Sequence, residues 1–334
     1  MTESSKEVDV FGVGNALVDI LALVKDDLIL SHELNRGAMT LVDAPKQGVL
    51  LQDLEGTELQ LRSGGSAANT MIALAQSGGS GFYSGKVSRD SNGEFYRQDM
   101  LKAGIQFDGA PADSGPTGTC VVLTTPDAER TMCTNLGVSI TLSAADIDVD
   151  KLKGCKYSYV EGYLWDGPEP RQASVETMFQ SQRHGVRVAY TFSDAFLVDR
   201  FKYDFRQIVP EYCDVLFCNG DEARRFCELE SIEECAAKMG ELVDLAFITD
   251  GGKGCLVVEN KQISAVPGLK AQAIDTVGAG DAFAGGVLFG LTHGYSAIKS
   301  ARWGNYLGSQ VVQRYGPRLE GSQANKLAEI MGGK

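Results

Sequence analysis

Histidine, tryptophan and basic residues are scarce in this sequence. It contains three His, two Trp, and 31 Lys and Arg against 44 Asp and Glu, which gives a formal net charge of −13. No run of Lys or Arg forms a basic patch, and a surface of this charge repels nucleic-acid phosphates and anionic membranes. We therefore expect neither a nucleic acid nor a membrane as partner, although backbone dipoles and Mg²⁺ can still hold a small anion such as ATP.

The eight cysteines lack the spacing of a metal site. None forms a C-x-x-C pair and none is next to a histidine, so a structural zinc site is poorly supported. Most are flanked by apolar residues, as in Val215-Leu216-Phe217-Cys218, which predicts buried free thiols. Reduced thiols are typical of the cytoplasm.

Long hydrophobic runs are also missing. Residues 1–8 are polar and acidic, without the basic start and apolar core of a signal peptide. The apolar stretch 10–24 is interrupted by Asn15 and Asp19, which argues against a membrane span. Together with the reduced thiols, this predicts a cytoplasmic protein.

Strand and helix patterns alternate from about residue 156 onward. Such alternation is typical of a parallel sheet with helices on both faces. The expected fold class is therefore α/β, a mainly parallel central sheet flanked by helices. The predicted strands of this part are 157–160, 186–191, 215–218 and 246–249.

Two separate segments have the pattern of a small β-rich lid. Residues 119–124 and 130–134 flank Pro126-Asp127 and predict a β-hairpin. The predicted lid consists of residues 17–45 and 110–140, and the predicted large domain consists of residues 1–16, 46–109 and 141–334.

The strongest chemical signal lies in Asp275-Thr276-Val277-Gly278-Ala279-Gly280-Asp281. Its small residues lead into a predicted apolar helix, whose first amides have no intrahelical partner and carry the positive end of the helix dipole. These amides can surround a phosphoryl group, and the aspartate in the first turn is suited to take a proton from a hydroxyl. The short pattern Gly-x-Gly-Asp alone is more often a loop with a capping aspartate.

The full stretch 275–286 resembles the second signature of the PfkB (ribokinase) family of carbohydrate kinases, which includes ribokinase, fructokinase and adenosine kinase. The resemblance implies a ribokinase-like fold and phosphoryl transfer from ATP to a hydroxyl. It also implies that Asp281 is the catalytic base and that Gly278, Ala279 and Gly280 form the anion hole.

Two segments suggest the acceptor site. Ser63-Gly64-Gly65-Ser66-Ala67-Ala68-Asn69 resembles the first family signature, and Gly14-Asn15-Ala16-Leu17-Val18-Asp19 ends a predicted strand with a carboxylate, which holds sugar hydroxyls in ribokinase-like enzymes. Taken alone, residues 63–69 are also compatible with a loop and a helix cap. Residues 14–19 are also compatible with the ordinary end of a strand. The residues expected to bind the acceptor are Asn15, Asp19, Gly65, Ser66 and Asn69.

Two further segments imply the nucleotide site, in the order and spacing of the family. Asn219-Gly220-Asp221-Glu222 resembles its Asn-x-x-Glu motif, which implies a role for Glu222 in placing Mg²⁺ through water. Thr249-Asp250-Gly251-Gly252-Lys253-Gly254 resembles its glycine loop. The alternative for residues 219–222 is a helix-capping pattern, and the alternative for residues 249–254 is a turn that connects two strands. The residues expected to bind nucleotide are Asn219, Glu222, Thr249, Gly251, Gly252 and Gly254.

Several stretches are most similar to the adenosine kinases of this family, bacterial-type sequences in particular. They include Val160-Glu161-Gly162-Tyr163-Leu164-Trp165 and Thr191-Phe192-Ser193-Asp194-Ala195-Phe196. The resemblance implies transfer to the 5′-hydroxyl of adenosine, with Tyr163, Trp165 and Phe196 around the base. A position in the core is the alternative for each of these aromatics.

Other features leave the acceptor and the assembly open. Animal-type relatives carry Phe where Leu164 aligns and Asn where Val277 stands, which keeps another nucleoside, ribose or fructose as alternative acceptors. The resemblance further suggests a phosphate contact from Arg130 when the lid closes, and a monovalent cation (K⁺) near Asp275 and Val277. Arg130 is equally compatible with a solvated side chain, and both a monomer and a homodimer fit the sequence.

Three other classes compete with a PfkB-type kinase. Gly12-Val13-Gly14 starts like a dinucleotide fingerprint, but Leu17 stands where the third glycine belongs. The P-loop pattern G-x-x-x-x-G-K-[ST] does not occur. A non-catalytic binding protein of the same fold would not need the base Asp281.

Overall fold

The computed structural model of the protein describes residues 6–109, 111–127 and 129–332. Its strands are β1 (Val8–Val13), β2 (Leu17–Leu23), β3 (Met39–Leu41), β4 (Gln60–Gly64), β5 (Gly81–Ser84), β6 (Ile105–Gln106), β7 (Gly118–Thr124), β8 (Arg130–Asn135), β9 (Cys155–Glu161), β10 (Arg187–Thr191), β11 (Val215–Asn219), β12 (Leu245–Thr249), β13 (Gly254–Glu259) and β14 (Gln262–Pro267). Its α-helices are α1 (Asp26–Ser31), α2 (Ala44–Asp53), α3 (Ser66–Gln76), α4 (Ser91–Lys102), α5 (Val149–Leu152), α6 (Pro168–Arg183), α7 (Ala195–Tyr212), α8 (Gly220–Cys227), α9 (Ile232–Met239), α10 (Ala279–Thr292), α11 (Ala297–Val311) and α12 (Leu327–Met331).

Nine strands form the central sheet, in the order β14-β13-β12-β11-β10-β9-β1-β5-β6. The strands from β12 to β6 are parallel, and the hairpin of β13 and β14 adds an antiparallel edge. Successive residues of the inner strands contribute to hydrophobic cores on opposite faces, as Tyr159 and Val160 of β9 do. The predicted fold class and its four predicted strands are thereby confirmed.

Glycines in α10 allow this helix to pack closely against its neighbours. A Cβ at Gly285 would collide with the Thr70 carbonyl oxygen in α3, and a Cβ at Gly286 would lie 3.0 Å from the Cα of Gly304 in α11. Close packing of α3 and α10 brings the first turns of both helices to the same place. Those turns carry the two family signatures.

The second sheet has five strands in the order β3-β8-β7-β2-β4. The predicted hairpin is present as β7 and β8. β4 pairs with β2, although the predicted boundaries assign residues 60–64 to the large domain. Polar and apolar residues alternate only weakly in its sequence, Gln60-Leu61-Arg62-Ser63-Gly64, because an edge strand is half exposed. The sequence pattern therefore did not show that β4 belongs to the five-stranded sheet.

Some predicted features lie outside the described residues, and one predicted alternative disagrees with the chain path. Residues 1–5, 110, 128, 333 and 334, which the predicted domains include, lie outside them. The chain passes from β1 directly into β2, so no helix follows Gly14 and the dinucleotide-binding alternative is excluded. Within the described ranges, no helix is both long enough and apolar enough to span a bilayer.

Candidate active site

A cavity of about 430 Å³ lies between the carboxyl ends of the parallel strands and the five-stranded sheet. The last residues of β9, β10, β11 and β12 all line it, which is the edge where open α/β sheets bind their ligands. The predicted site residues that line the cavity are Asn15, Asp19, Gly65, Ser66, Asn69, Arg130, Tyr163, Phe196, Asn219, Glu222, Thr249, Gly278, Gly280 and Asp281.

Asp281 lies in the first turn of α10 and its carboxylate is held by two residues of α3. Oδ1 accepts a hydrogen bond from Ser66 Oγ at 2.6 Å, and Oδ2 accepts one from Asn69 Nδ2 at 3.1 Å. Burial raises the pKa of Asp281 to about 6, against the opposing effect of these hydrogen bonds and of Arg318. At neutral pH the carboxylate is mostly ionised and can accept a proton.

Gly278 caps the N-terminus of α10 in a conformation that requires glycine. Its φ is +77°, and a Cβ here would collide with the Pro317 carbonyl oxygen. Gly278 and Gly280 line the cavity, where the helix N-terminus favours an anion. Ala279 does not line the cavity and its N–H donates to the Thr276 carbonyl at 3.3 Å, which argues against its predicted anion contact.

Two glycines let the chain pass close to Asp19 and Asn15 before α3 begins. A Cβ at Gly64 would collide with the Asp19 carboxylate, and a Cβ at Gly65, whose φ is +101°, would collide with the Asn15 carbonyl oxygen. Burial raises the pKa of Asp19 to about 6. The tight turn thereby gathers the predicted acceptor-binding residues around the Asp281 carboxylate.

Asn219 and Glu222 form a reciprocal capping box at the start of α8. Asn219 Oδ1 accepts from the Glu222 N–H at 2.9 Å, while the Glu222 carboxylate accepts from the Asn219 N–H at 3.1 Å and from Asn219 Nδ2 at 2.7 Å. Burial raises the pKa of Glu222 to about 7. Asn219 and Glu222 form a helix cap and also line the cavity. The capping pattern and the predicted nucleotide-site motif are therefore compatible interpretations of the same residues.

Thr249 lines the cavity, whereas the three glycines that follow it do not. Gly251 and Gly252 face open space, with no atom within 4 Å of an added Cβ. Gly254, whose φ is +105°, starts β13 at a point where a Cβ would collide with the Val266 carbonyl oxygen. The pairing of β13 with β14 explains this last glycine, and its position gives no support to the predicted nucleotide contact.

Arg130 approaches the same cavity from the five-stranded sheet. Its NH1 lies 3.0 Å from Asp275 Oδ2, and the residue is only 7% exposed. Its Nε and NH2 atoms have no hydrogen-bond partner within the described part of the chain. Buried donors without partners are rare, and a guanidinium beside a helix N-terminus suits a phosphate.

The Asp275 carboxylate is already satisfied by protein donors. Besides Arg130, it accepts from the Val277 N–H at 3.0 Å and from the Gly316 N–H at 2.8 Å. The guanidinium neutralises its charge, so this carboxylate does not fit a monovalent cation.

The sequence matches the pfkB family carbohydrate kinases over residues 39–324. This chain belongs to the pfkB family of carbohydrate kinases. As a family member it is a phosphotransferase that acts on a hydroxyl group. The predicted family and the predicted enzyme class are both confirmed.

Relatives of known name within the pfkB family match this chain over nearly its whole length. Adenosine kinase from Saccharomyces cerevisiae is 29% identical over 327 residues, which cover 91% of this chain and 95% of the relative. The structure of adenosine kinase from Sinorhizobium meliloti has a TM-score of 0.89 and 33% identity, and it covers 97% of this chain and 99% of its own. A "probable sugar kinase protein" from Rhizobium etli CFN 42 has a TM-score of 0.89, 31% identity and 98% coverage of both chains.

Two of the three aromatics singled out by the pfkB resemblance line the cavity. The ring centroids of Tyr163 and Phe196 are 6.4 Å apart, and Phe196 is 40% exposed. Trp165 is 2% exposed, and its ring packs edge-on against Tyr190 and Phe205 in the core. The prediction that Trp165 contacts a ligand is wrong, because on the 3₁₀ turn Gly162–Asp166 its ring points into the core while Tyr163, two positions earlier, lines the cavity.

Glu161 is a site residue for which the sequence analysis predicted no role. It is fully buried at the end of β9, and its carboxylate accepts from the Asn15 N–H at 2.7 Å, from Asn15 Nδ2 at 3.0 Å and from the Ala67 N–H at 2.7 Å. Burial raises its pKa to about 7. Its position at the end of a predicted strand was the available signal.

Arg318 is a second site residue for which the sequence analysis predicted no role. It lies beyond α11, outside any helix or strand, and it donates to Asn69 Oδ1 at 2.9 Å, to Asp99 Oδ2 at 3.1 Å and to Ser63 Oγ at 3.0 Å. No pattern in the sequence marks this residue, because its three partners lie more than 200 positions earlier.

The described residues contain no cluster of three or more His, Cys, Asp or Glu that could cage a metal ion. A Mg²⁺ ion would not need such a cluster, since Mg²⁺ keeps several waters and binds substrate phosphates with one or two carboxylates. The buried carboxylate of Glu222 at the cavity wall fits such an outer ligand.

Proposed function

We propose that this protein transfers the γ-phosphoryl group of ATP to the 5′-hydroxyl of adenosine, which yields AMP and ADP. One observation carries the proposal: Ser66 and Asn69 hold the Asp281 carboxylate beside the N-terminus of α10, in the cavity that both family signatures line. Full-length similarity to proteins named adenosine kinase supports the acceptor.

In the proposed reaction Asp281 takes the proton of the attacking hydroxyl. Asp19 and Asn69 hold the ribose hydroxyls, because a carboxylate and an amide together offer the acceptors and donors that a diol needs. The N-terminus of α10 at Gly278 and Gly280 receives the negative charge that develops on the transferred group. The Nε and NH2 atoms of the buried Arg130, which have no hydrogen-bond partner among the described residues, would donate to the transferred group.

Tyr163 and Phe196 form the proposed contact surface for the base. Their rings lie together at the cavity wall, and the Tyr163 hydroxyl is 3.4 Å from Asp194 Oδ2, which limits the ring's rotation. Stacking on aromatic faces contributes about 1–3 kcal/mol per base. A free sugar would leave this surface without a partner.

In this proposal the nucleotide half of the cavity consists of Asn219, Glu222 and Thr249, and the acceptor half consists of Asn15, Asp19, Ser66, Asn69, Glu161, Tyr163, Phe196 and Asp281. We propose that ATP lies along the nucleotide half with its phosphates toward α10. Glu222 would hold Mg²⁺ through water, and the ion would neutralise phosphate charge during transfer.

The five-stranded sheet is the proposed lid. It contributes Asp19 and Arg130 to the cavity, so its approach to the nine-stranded sheet would complete the site and exclude water that could otherwise accept the phosphoryl group. This proposal keeps residues 17–45 and 110–140 as lid segments and adds β4. We also propose a cytoplasmic location, consistent with eight free cysteines within the described ranges.

A free sugar such as ribose or fructose is the second candidate acceptor. The similarity to a protein named as a sugar kinase favours it, and Asp19 would serve a sugar diol as well as a nucleoside. The two candidates share Asp281 and the anion site and differ only in what Tyr163 and Phe196 contact.

The deciding experiment measures ADP release from MgATP with adenosine, inosine, guanosine, ribose and fructose as acceptors. We expect a kcat/KM for adenosine far above that for ribose. A preference for ribose or fructose would overturn the nucleoside assignment while retaining the kinase. Binding of adenosine without any turnover, under conditions in which the protein is folded, would instead indicate a non-catalytic member of the fold.

A further inference from the structure

The Asp281 carboxylate depends on an amide that can point in two directions. The planar amide of Asn69 has an acceptor oxygen and a donor NH₂ group, and only one orientation donates to the carboxylate. Here Nδ2 donates to Asp281 Oδ2 at 3.1 Å, while Oδ1 accepts from Arg318 Nε at 2.9 Å. A guanidinium can only donate, so Arg318 selects the orientation that leaves the NH₂ group facing Asp281.

The Arg318 guanidinium is itself fixed on its other edge. NH1 donates to Asp99 Oδ2 at 3.1 Å, and NH2 donates to Ser63 Oγ at 3.0 Å. Ser63 in turn donates to Asp99 through its N–H at 2.9 Å and through its hydroxyl at 2.6 Å. Arg318 is 8% exposed, so its orientation is set by protein groups on every nitrogen.

We propose that Arg318 is a positioning residue of the phosphoryl transfer, which acts through Asn69 and holds the base Asp281 in its ionised, proton-accepting form. This inference rests on the function proposed above, because it needs Asp281 as the base. Arg318 touches neither reacting group in this arrangement. Its contribution is a fixed amide donor and a buried positive charge.

The electrostatic surroundings of Asp281 explain why such a cation is needed. Arg318 lowers the pKa of Asp281 against the effect of burial, and it acts on Asp19 in the same direction. Burial is the largest cause that raises the pKa of Asp19 and of Glu161, and the charge of Asp281 raises both further, so these carboxylates and Asp281 compete for ionisation and the nearby tyrosines supply no cation. The titratable groups that interact electrostatically with Asp281 are Asp19 of β2, Tyr83 of β5, Tyr159 and Glu161 of β9, Tyr163 and Arg318.

The test compares the pH dependence of kcat for wild type, Arg318→Met and Arg318→Lys, with saturating MgATP and adenosine. Activity falls as pH falls through the pKa of the base, so loss of the charge should move the acid limb to higher pH. We expect Arg318→Met to shift the limb by about one pH unit, the lower end of the effect of one neighbouring charge. That shift corresponds to a roughly fivefold loss of relative activity near pH 6 and to almost none at about pH 8.

The lysine variant and a surface control separate charge from structure. Arg318→Lys retains the charge, so its acid limb should stay close to that of wild type even if loss of the forked geometry lowers kcat. Arg314→Met makes the same substitution at an exposed arginine of the same segment and should match wild type throughout. Thermal melts of all three variants check that they are folded at each pH.

Three results would overturn the inference, and a fourth would instead overturn the assignment of the base. An unmoved acid limb in a folded Arg318→Met protein removes the electrostatic role. A loss of kcat that is equal at all pH values, or a shift that Arg318→Lys does not reverse, assigns the residue to structure alone. If Asp281→Asn retains near-wild-type turnover, the proposed base fails, and that outcome is distinct from a failure of Arg318.

Discussion

In the proposed nucleotide half of the cavity the key contacts join close sequence neighbours, whereas in the proposed acceptor half they join distant ones. Asn219 and Glu222 are three positions apart. In contrast, Ser66 and Asp281 are 215 positions apart, and Asn69 and Arg318 are 249 apart. A local contact leaves a readable pattern in the sequence, while a distant contact exists only when the fold brings its two halves together.

The same comparison separates the two halves electrostatically. The acceptor half concentrates the buried carboxylates Asp19, Glu161 and Asp281, whose pKa values are raised by burial. The nucleotide half has a single such carboxylate, Glu222, inside a helix cap. Substitutions in the acceptor half should therefore change chemistry and pH dependence, and those in the nucleotide half should change helix stability and nucleotide affinity.

The largest expected effect is that of Asp281→Asn. The amide retains the shape of the side chain but cannot take a proton, so kcat should fall by about 10²–10⁴, the range for removal of a general base. Steady-state ADP release gives kcat, and titration of the folded variant with adenosine checks that binding persists. Turnover within a few-fold of wild type would remove Asp281 from its role and end the functional contrast between the halves.

The next largest effect is expected from Phe196→Ala, which tests whether the acceptor half binds a nucleoside base by stacking. Loss of one stacking contact should raise the KM for adenosine roughly 5- to 150-fold, which corresponds to about 1–3 kcal/mol. The matched control is Phe179→Ala on α6, since this phenylalanine is similarly exposed and does not line the cavity. Equal KM values for the two variants would show that the base does not stack here.

A smaller effect is expected from Asn219→Ala in the nucleotide half. Loss of the cap should destabilise the protein by about 1 kcal/mol and should raise the KM for MgATP without changing that for adenosine. Ser231→Ala removes the N-cap of α9, whose hydroxyl accepts from the Glu234 N–H away from the cavity. Both variants should lower Tm, and an unchanged KM for MgATP in Asn219→Ala would leave the capping box with a purely structural role.

The smallest expected effect concerns the pH dependence of stability. The pKa of Glu161 is raised to about 7 in the folded protein, so its protonated form favours folding at low pH and this contribution is lost as pH rises through about 7. Glu161→Gln cannot ionise. Wild-type Tm should therefore fall more between about pH 5 and pH 8 than the Tm of this variant.

Thermal melts across that range measure the difference, and Glu55→Gln at an exposed position provides the control. Parallel Tm curves for wild type and Glu161→Gln would show that Glu161 is not a buried, titrating carboxylate. The acceptor half would then be less distinct from the nucleotide half than its hydrogen bonds indicate.

The sequence by itself determined the family, the α/β class and the residues that lie within contiguous motifs. The apolar runs that predicted β9 to β12 are long enough to be recognised alone, and Asp281 stands in a pattern that the helix N-terminus makes chemically meaningful. Trp165 was predicted wrongly, since a residue two positions after Tyr163 can point into the core while Tyr163 itself lines the cavity.

Only the tertiary structure decided how the acceptor half is completed. The sheet membership of β4, the burial of Glu161 against the Asn15 and Ala67 amides, and the contact of Arg318 with Asn69 all depend on segments that meet after folding. The physical reason is that hydrogen bonds between distant residues require the sheets and helices that position them, and no local propensity or period encodes such a partner.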